Sequence, residues 1–303
     1  AIVDGRDYTG TGIEDTVSHG TRVAGMIAAA HNDVDIKGIA PDVKIVPLKI
    51  SNDGKLDSVL IDQAIRAAVD DFDCVVINLS FHVGEDKKNV KEAIDYAVEK
   101  GATVVAAAGN YEHTGNVDLN EEYMENSDTL VIHEDNSLFY PAAYNNVIGV
   151  GSVHHFYGFE ERAERVSPFS KQNESVFIVA PGERVITTYP DNDLWFDYGT
   201  SVAAPLVSGA VALLKQANQK LTLEQIMDIL AESATDDAKG DGYDTAYGHG
   251  ILNVAAALEL VLDENRAPST VTYRVTAENE ALSGAVTVAN YTVGNIGSHT
   301  LGA

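Results

Sequence analysis

The sequence predicts an α/β protein whose mostly parallel sheet is covered by helices on both faces. Three observations carry that prediction. Short apolar runs alternate with segments whose apolar residues recur at helical spacing through most of the 303 residues. The runs lack the in–out alternation of a sheet with one wet face, as parallel strands buried on both sides do. With 45% apolar residues, 25 glycines and 8 prolines, the chain has the makeup of a packed globular protein, not a disordered or fibrous one.

The elements follow in chain order. Ala1-Ile2-Val3-Asp4-Gly5 reads as a short apolar strand with a carboxylate at its C-terminal end. His19-Gly20-Thr21-Arg22-Val23-Ala24-Gly25 puts a histidine at the start of a helix of small residues. Val43 to Ile50 is β-branched and extended, and Leu60, Ile61, Ala64, Ile65, Ala68 and Val69 repeat with helical spacing. Cys74 to Leu79 reads as a buried strand. Val90, Ala93, Ile94, Ala97 and Val98 form a helical stripe that Gly101 closes as a C-cap. Thr103 to Ala107, Val147 to Val153 and Val176 to Ala180 read as further strands, and Ala203–Ala217, Leu223–Ser233 and Val254–Leu262 as helices. The repeated β-α-β order implies a parallel sheet with helices on both faces.

Two stretches depart from this rhythm. Tyr111 to Phe139 is polar, acidic and aperiodic, and reads as a long surface excursion. Arg266 to Ala303 alternates threonine and valine, as in Thr270-Val271-Thr272-Tyr273-Arg274-Val275. The expected organisation is one domain over 1–265, then a β-rich C-terminal extension, or the start of a further domain, over 266–303.

The chain carries 20 Lys and Arg against 46 Asp and Glu, a formal charge of −26. That balance excludes a phosphate-backbone binder, so no nucleic-acid partner is expected. No apolar run approaches the roughly 18 residues of a membrane span. The single cysteine, Cys74, rules out an intrachain disulfide and reads as a buried structural thiol. The His154-His155 pair reads as part of a solvated loop rather than a metal ligand set. A chain that starts at Ala1 and not at Met reads as processed or trimmed.

Three segments carry chemistry. They hold Asp4, His19 and, in Gly199-Thr200-Ser201-Val202-Ala203-Ala204-Pro205, a serine entering a helix. In a parallel α/β sheet, strand C-termini and helix N-termini meet along one edge, so segments far apart in sequence can converge. A serine hydroxyl is a weak nucleophile until a base takes its proton, and neutral imidazole does so near pH 7. A carboxylate fixes the imidazole tautomer. The helix N-terminus offers N–H groups and a favourable dipole to developing negative charge.

These segments resemble the Asp, His and Ser signatures of the subtilisin-like serine proteases, in that family's chain order. Ala107-Ala108-Gly109-Asn110, Gly38-Ile39-Ala40-Pro41, Phe139-Tyr140-Pro141-Ala142 and Ala180-Pro181-Gly182 match further landmarks, so the likeness runs from Asp4 to about Leu262. The resemblance implies the three-layer subtilisin-like fold and a serine endopeptidase working through an acyl-enzyme. Ser201 would attack the scissile carbonyl, His19 would act as base and then acid, and Asp4 would orient His19. Asn110 and the Ser201 N–H would hold the oxyanion. The resemblance further implies an extended polypeptide substrate against Ser80, Phe81, Leu56, Ala107 and Gly109. Phe139 would form the floor of the primary pocket and shorten it, favouring small residues before the cut bond. His82 and Val83 stand where relatives often carry glycine.

The segment from Ala30 to Ile36 resembles the family's calcium loop. It implies a structural calcium held by the Asn32 side chain and the carbonyls of Ala30, Val34 and Ile36. The likeness also implies a propeptide in the precursor and a secreted or cell-surface setting. Two departures from the family stand out: the 15-residue Asp4–His19 spacing is short, and the family's usual stretch before the Asp strand has no counterpart. Two other functions compete with a general endopeptidase: a subtilase-fold binding domain that no longer cuts, and a protease confined to maturing one partner.

Overall fold

The computed structural model describes residues 2–32, 35–111, 136–154, 165–235 and 242–262, and the backbone of two short strands at 270–271 and 291–292. The chain divides into two compact units, Ala1–Val261 and Leu262–Ala303. Most of the expected 111–139 excursion, at 112–135, lies outside the described residues, as does most of the expected 266–303 extension. Within the second unit, β10 (Thr270–Val271) pairs antiparallel with β11 (Tyr291–Thr292).

The first unit has the expected α/β layers. Strands β3 (Val76–Leu79), β4 (Thr103–Ala107), β5 (Val147–His154) and β7 (Ile178–Pro181) pair in parallel, in the order β3-β4-β5-β7. The short β6 (Arg165–Val166) runs antiparallel to the end of β5. Successive side chains point to opposite faces, and the two cores divide accordingly. Val104 and Ala106 face helices α2 (Ser58–Asp70) and α3 (Lys88–Glu99). Val105 and Ala107 face α4 (Thr200–Ala217), α5 (Leu223–Ser233) and α6 (Val254–Leu262). Helix α4 starts three residues earlier than its apolar spacing predicts, so Ser201 lies inside its first turn.

The Val43–Ile50 segment forms fewer ladder bonds than its composition predicts. Its paired core is β2 (Leu48–Lys49), parallel to β1 (Arg6–Asp7), with one more bridge between Ile2 and Ile45. The β1–β2 pair is a separate sheet with no ladder to β3. Helix α1 (His19–Ala28) packs on α4 and on the hairpin of β8 (Val185–Tyr189) and β9 (Asp193–Asp197).

Cys74 is half-buried against the α2–α3 cluster, and burial raises its thiol above the ordinary value, in keeping with an inert side chain. The reading of His154 as part of a solvated loop is wrong. His154 is buried at the end of β5, with Nδ1 2.9 Å from the buried Glu183 Oε1. The strand runs one pleat further than its apolar composition suggests, because a partner carboxylate follows Gly182.

Candidate active site

The C-terminal ends of β3 and β4 meet the start of α4. Ser80 Oγ, just past β3, donates to the Ser201 carbonyl at 2.8 Å. Asn78 Nδ2 donates to Ser80 Oγ, and Ser208 Oγ, two turns into α4, donates to Asn78 Oδ1, each at 2.9 Å. The helix that carries Ser201 is thus tied to one strand at two heights.

Thr200 ties the same helix to β4. Its hydroxyl accepts from the Gly109 N–H at 3.1 Å and donates to Asn110 Oδ1 at 2.9 Å. Asn110 Oδ1 also accepts the Thr200 N–H at 3.0 Å. With its oxygen held twice, Asn110 turns Nδ2 outward; this amide orientation follows from the bonding pattern. Gly199 adopts φ +135°, and a Cβ there would lie 3.1 Å from both Asn110 Nδ2 and Ser201 Oγ. The amide donor and the hydroxyl therefore border one small space, which a side chain at 199 would fill. That is the geometry an oxyanion needs beside its nucleophile.

His19 opens α1. Helix α1 is capped by Asp15, a residue the motif reading did not single out, although an acidic residue just ahead of a helix is a recognisable start signal. The Asp15 carboxylate accepts from the N–H groups of Val17, Ser18 and Thr21 and from the Thr21 hydroxyl. Arg22, one turn into α1, pairs with Asp197 at 3.1 Å, and Asp197 lies four residues ahead of Ser201. Burial pushes the His19 imidazole below its ordinary value. The Arg22 guanidinium adds to the shift, while Asp197 and Asp15 pull it partway back. No hydrogen bond joins His19 to Ser201 or to any carboxylate among the described residues.

A lowered imidazole value has a direct reading. An imidazole can act as a base only while neutral, and a depressed pKa keeps the ring neutral to lower pH. The acid limb of kcat/KM is therefore expected to have its midpoint below 6.5, the imidazole reference value. A pH–rate profile with that midpoint at or above 6.5 contradicts this account of the His19 environment.

The expected pairing of Asp4 with His19 is absent. Asp4 is exposed, its carboxylate has no partner among the described residues, and it is not among the charges acting on His19. The reason is sheet order. Asp4 belongs to the segment that pairs with β2 through Ile2–Ile45 and then Arg6–Asp7, in a two-stranded sheet with no ladder to β3. Residue type and chain order could not reveal which neighbour that strand takes.

The expected substrate segments come together. Val83 N–H donates to the Tyr140 carbonyl at 2.9 Å, tying the residues after β3 to those around Phe139. The Phe139 ring occupies the space a Cβ on Gly109 would need, 2.5 Å from that point, and Gly109 has φ +107°. The exposed His82 ring lies on Phe139, with centroids 4.3 Å apart. Phe139 thus packs directly on Gly109, and His82 packs on Phe139. Ala107 is buried at the end of β4. Phe81 is partly buried against the α2–α3 cluster. Leu56 and Val83 line a separate cavity of about 360 Å³ with Asp57, Ser58 and Lys87.

Three of the residues expected to hold calcium share a site. Ala30, Asn32 and Ile36 line a cavity of about 380 Å³ with Asp35, Asn192 and Asp193, while Val34 lies outside the described residues. The available donors are oxygens, which suits calcium. Among the described residues no group of three His, Cys, Asp or Glu side chains is placed for a metal, so carbonyls and Asn32 would do the holding.

Comparison with known proteins places this arrangement. A sequence model described as "Subtilase family" matches residues 2–250. Subtilisin DY of Bacillus licheniformis is 33% identical over 264 residues, covering 86% of this chain and 82% of that protein. The major intracellular serine protease of Bacillus subtilis (strain 168) is 33% identical over 273 residues, covering 86% and 76%. Among solved structures, sphericase superposes with a TM-score of 0.69 at 27% identity, covering 84% of both chains. Fervidolysin of Fervidobacterium pennivorans, described as a keratinolytic enzyme related to subtilisin, gives 0.66 at 31% identity. That match covers 80% of this chain and 36% of fervidolysin.

Proposed function

The chain belongs to the subtilase family of serine endopeptidases, and from that premise we propose that Ser201 cuts extended polypeptide with His19 as its base and Asn110 as an oxyanion donor. The observation that carries this reading is the convergence of Asn110 Nδ2 and Ser201 Oγ beside Gly199. Ser201 Oγ attacks the scissile carbonyl as His19 takes its proton. Negative charge then develops on the carbonyl oxygen, facing Asn110 Nδ2 and the first N–H groups of α4. His19 returns the proton to the leaving amine, and water repeats the sequence on the acyl-enzyme. Casein digestion that is lost in His19→Ala tests the reading; intact casein after prolonged incubation with folded protein overturns it. One observation favours a second reading, a subtilase-fold binding domain: no carboxylate of the described residues holds the His19 ring.

Narrow specificity follows from the rings under the groove. With Phe139 on Gly109 and His82 on Phe139, residues before the cut bond should be small: Gly, Ala or Ser. The double variant His82→Gly, Phe139→Gly is expected to shift a peptide-library preference to Phe, Tyr or Leu by about 10- to 100-fold in kcat/KM. An unchanged profile places the primary pocket elsewhere. Such a narrow pocket also suits a protease that matures one partner.

Calcium held by Asn32 and the carbonyls of Ala30, Val34 and Ile36 would brace the loop after α1 with a fixed charge. Calcium at 100 times its Kd is then expected to raise the Tm by about 5–10 °C, and a chelator to reverse it. A Tm indifferent to both removes calcium from the proposal. No helix among the described residues is long and apolar enough to cross a membrane. Work outside the cell or at its surface, after removal of a propeptide, belongs to this proposal, and culture fractionation checks it.

A further inference from the structure

We propose that the outer part of the β8–β9 hairpin is a subsite for the departing half of the substrate, where the stacked Trp195 and Tyr189 rings and Asp193 take an arginine three residues after the cut bond. The proposal rests on Ser201 as nucleophile and His19 as base, and adds a selectivity downstream of the bond.

The direction of departure follows from the chemistry. His19 gives its proton to the leaving amine, so the departing chain starts beside His19. Two hairpin residues stand there. Asp197 pairs with Arg22, one turn after His19, at 3.1 Å. The Thr187 hydroxyl donates to the Arg22 carbonyl at 2.6 Å. The hairpin is a two-stranded sheet of its own, apart from β3 and β4, whose ends carry the residues expected to meet the substrate before the cut.

Pairing fixes which side chains share this flank. Asp197 lies opposite Val185, Trp195 opposite Thr187, and Asp193 opposite Tyr189. Side chains alternate along a strand, so Asp197, Trp195 and Asp193 project from the face that also carries Thr187 and Tyr189. Trp195 is two residues, about 7 Å, along the strand from Asp197. An extended substrate has the same rise and the same alternation. A first departing residue beside Asp197 therefore brings the third to Trp195.

The rings and charges define the occupant. Trp195, the only tryptophan of the chain, is 43% exposed. Its ring stacks on Tyr189, with centroids 5.2 Å apart and planes 27° apart. An open aromatic pair is a platform for a flat or cationic group. Asp193, directly across from Tyr189, is exposed, as is Asp191 at the tip. Asp193 Oδ1 accepts the Leu194 N–H at 2.9 Å, which leaves Oδ2 for a donor. A guanidinium suits both parts, since its plane stacks on indole while its N–H groups meet a carboxylate. The opposite face of the hairpin makes the same kind of contact internally: the Arg184 guanidinium lies over the Phe196 ring, 5.7 Å from its centroid. Among the described residues no cation lies over Trp195 or Tyr189. The net charge of −26 favours the same kind of ligand.

The test uses the whole chain at one fixed calcium concentration, because Asp193 also lines the cavity proposed for calcium. Peptides Ala-Ala-Xaa-Ala with a C-terminal dansyl group imitate the departing half, and Trp195, as the sole tryptophan, is the energy donor. The Arg peptide should bind about 3- to 20-fold more tightly than the Ala peptide, from one cation–π contact and one exposed ion pair. The Glu peptide should bind more weakly than both. Quenched substrates that differ only at the third residue after the cut should follow the same order in KM, with kcat nearly constant. Trp195→Leu keeps apolar bulk but loses the indole face, and should lower the Arg preference by about 2- to 5-fold. Adding Asp193→Asn should abolish it. Both variants should hydrolyse a peptidyl coumarin amide, which has no residue after the cut bond, at the unmodified rate. Equal binding of the three peptides, or an Arg preference that survives the double variant, overturns the proposal. Amide hydrolysis without any Arg preference overturns it and leaves the protease reading intact. Arg-selective energy transfer that Asp193→Asn weakens, with no amide hydrolysis, keeps the arginine platform and sinks the protease reading. Trp195 emission that shifts with protein concentration and not with the Arg peptide gives this face to a second copy of the chain and overturns the proposal.

Discussion

Ser201→Ala is expected to abolish fluorophosphonate labelling and to bring peptide hydrolysis down to the residual rate given by binding and the oxyanion site. The related subtilisin supplies the scale: serine, histidine and aspartate act as a unit there, and the loss is not additive. With a carboxylate on His19 the loss should be on the order of 10⁶-fold. Without one, most of the catalytic advantage is already gone, and the same substitution should cost only about 100-fold. The size of the loss therefore reports whether His19 has an acidic partner. Measured alone, a large loss would mean that the chain already holds a competent dyad or triad. The fold should not suffer, because among the described residues the Ser201 hydroxyl makes no hydrogen bond, and the tie to Ser80 runs through the Ser201 carbonyl. A Ser201→Ala protein that unfolds, or one that still labels, would assign the chemistry elsewhere.

Asn110→Asp should cost at least 100- to 1000-fold in kcat with little change in KM. That range, about 100- to 1000-fold, is the loss for removing one oxyanion donor in the related subtilisin. Aspartate keeps the oxygen that accepts from the Thr200 N–H and hydroxyl, so the turn before α4 stays anchored. It replaces the outward amide with a second oxygen, and a negative charge then faces the developing oxyanion. Asn110→Leu removes donor and anchor together and should add a loss of thermal stability, since two buried donors lose their acceptor. If Asn110→Asp raises KM and spares kcat, Asn110 binds substrate in its ground state and has no special role in the transition state.

The parts of this site that the sequence disclosed are local. His19, Asn110 and Ser201 each sit in a short run of small residues whose backbone demands are written in the run itself, such as the glycine at 199 with φ +135°. The helices were legible for the same reason: the apolar stripes of α2 and α3 need no knowledge of their neighbours. Asp4 was misread because its role depends on strand order. A carboxylate after three apolar residues looks the same whether its strand joins the main sheet or pairs only with β2. His154 was misread for a related reason. Its partner Glu183 is 29 positions away, and nothing in His154-His155 announces it. The His82–Phe139 stack lay between these cases. Both residues stood out as bulky where the family is small, but their contact required the tie from Val83 to Tyr140.

The hydrogen-bonded chain from Ser208 through Asn78 and Ser80 to the Ser201 carbonyl has a consequence for how this protein can change. A helix held to a strand at two heights, seven residues apart, can neither roll about its axis nor slide along it. The bearing of Ser201 is thereby uncoupled from the residues proposed to choose the substrate. Positions 82, 83 and 139 hang from loops beyond the clamp, so their side chains can be exchanged for new selectivities without re-aiming Ser201. A single substitution at Asn78, remote from any substrate, would loosen every selectivity at once.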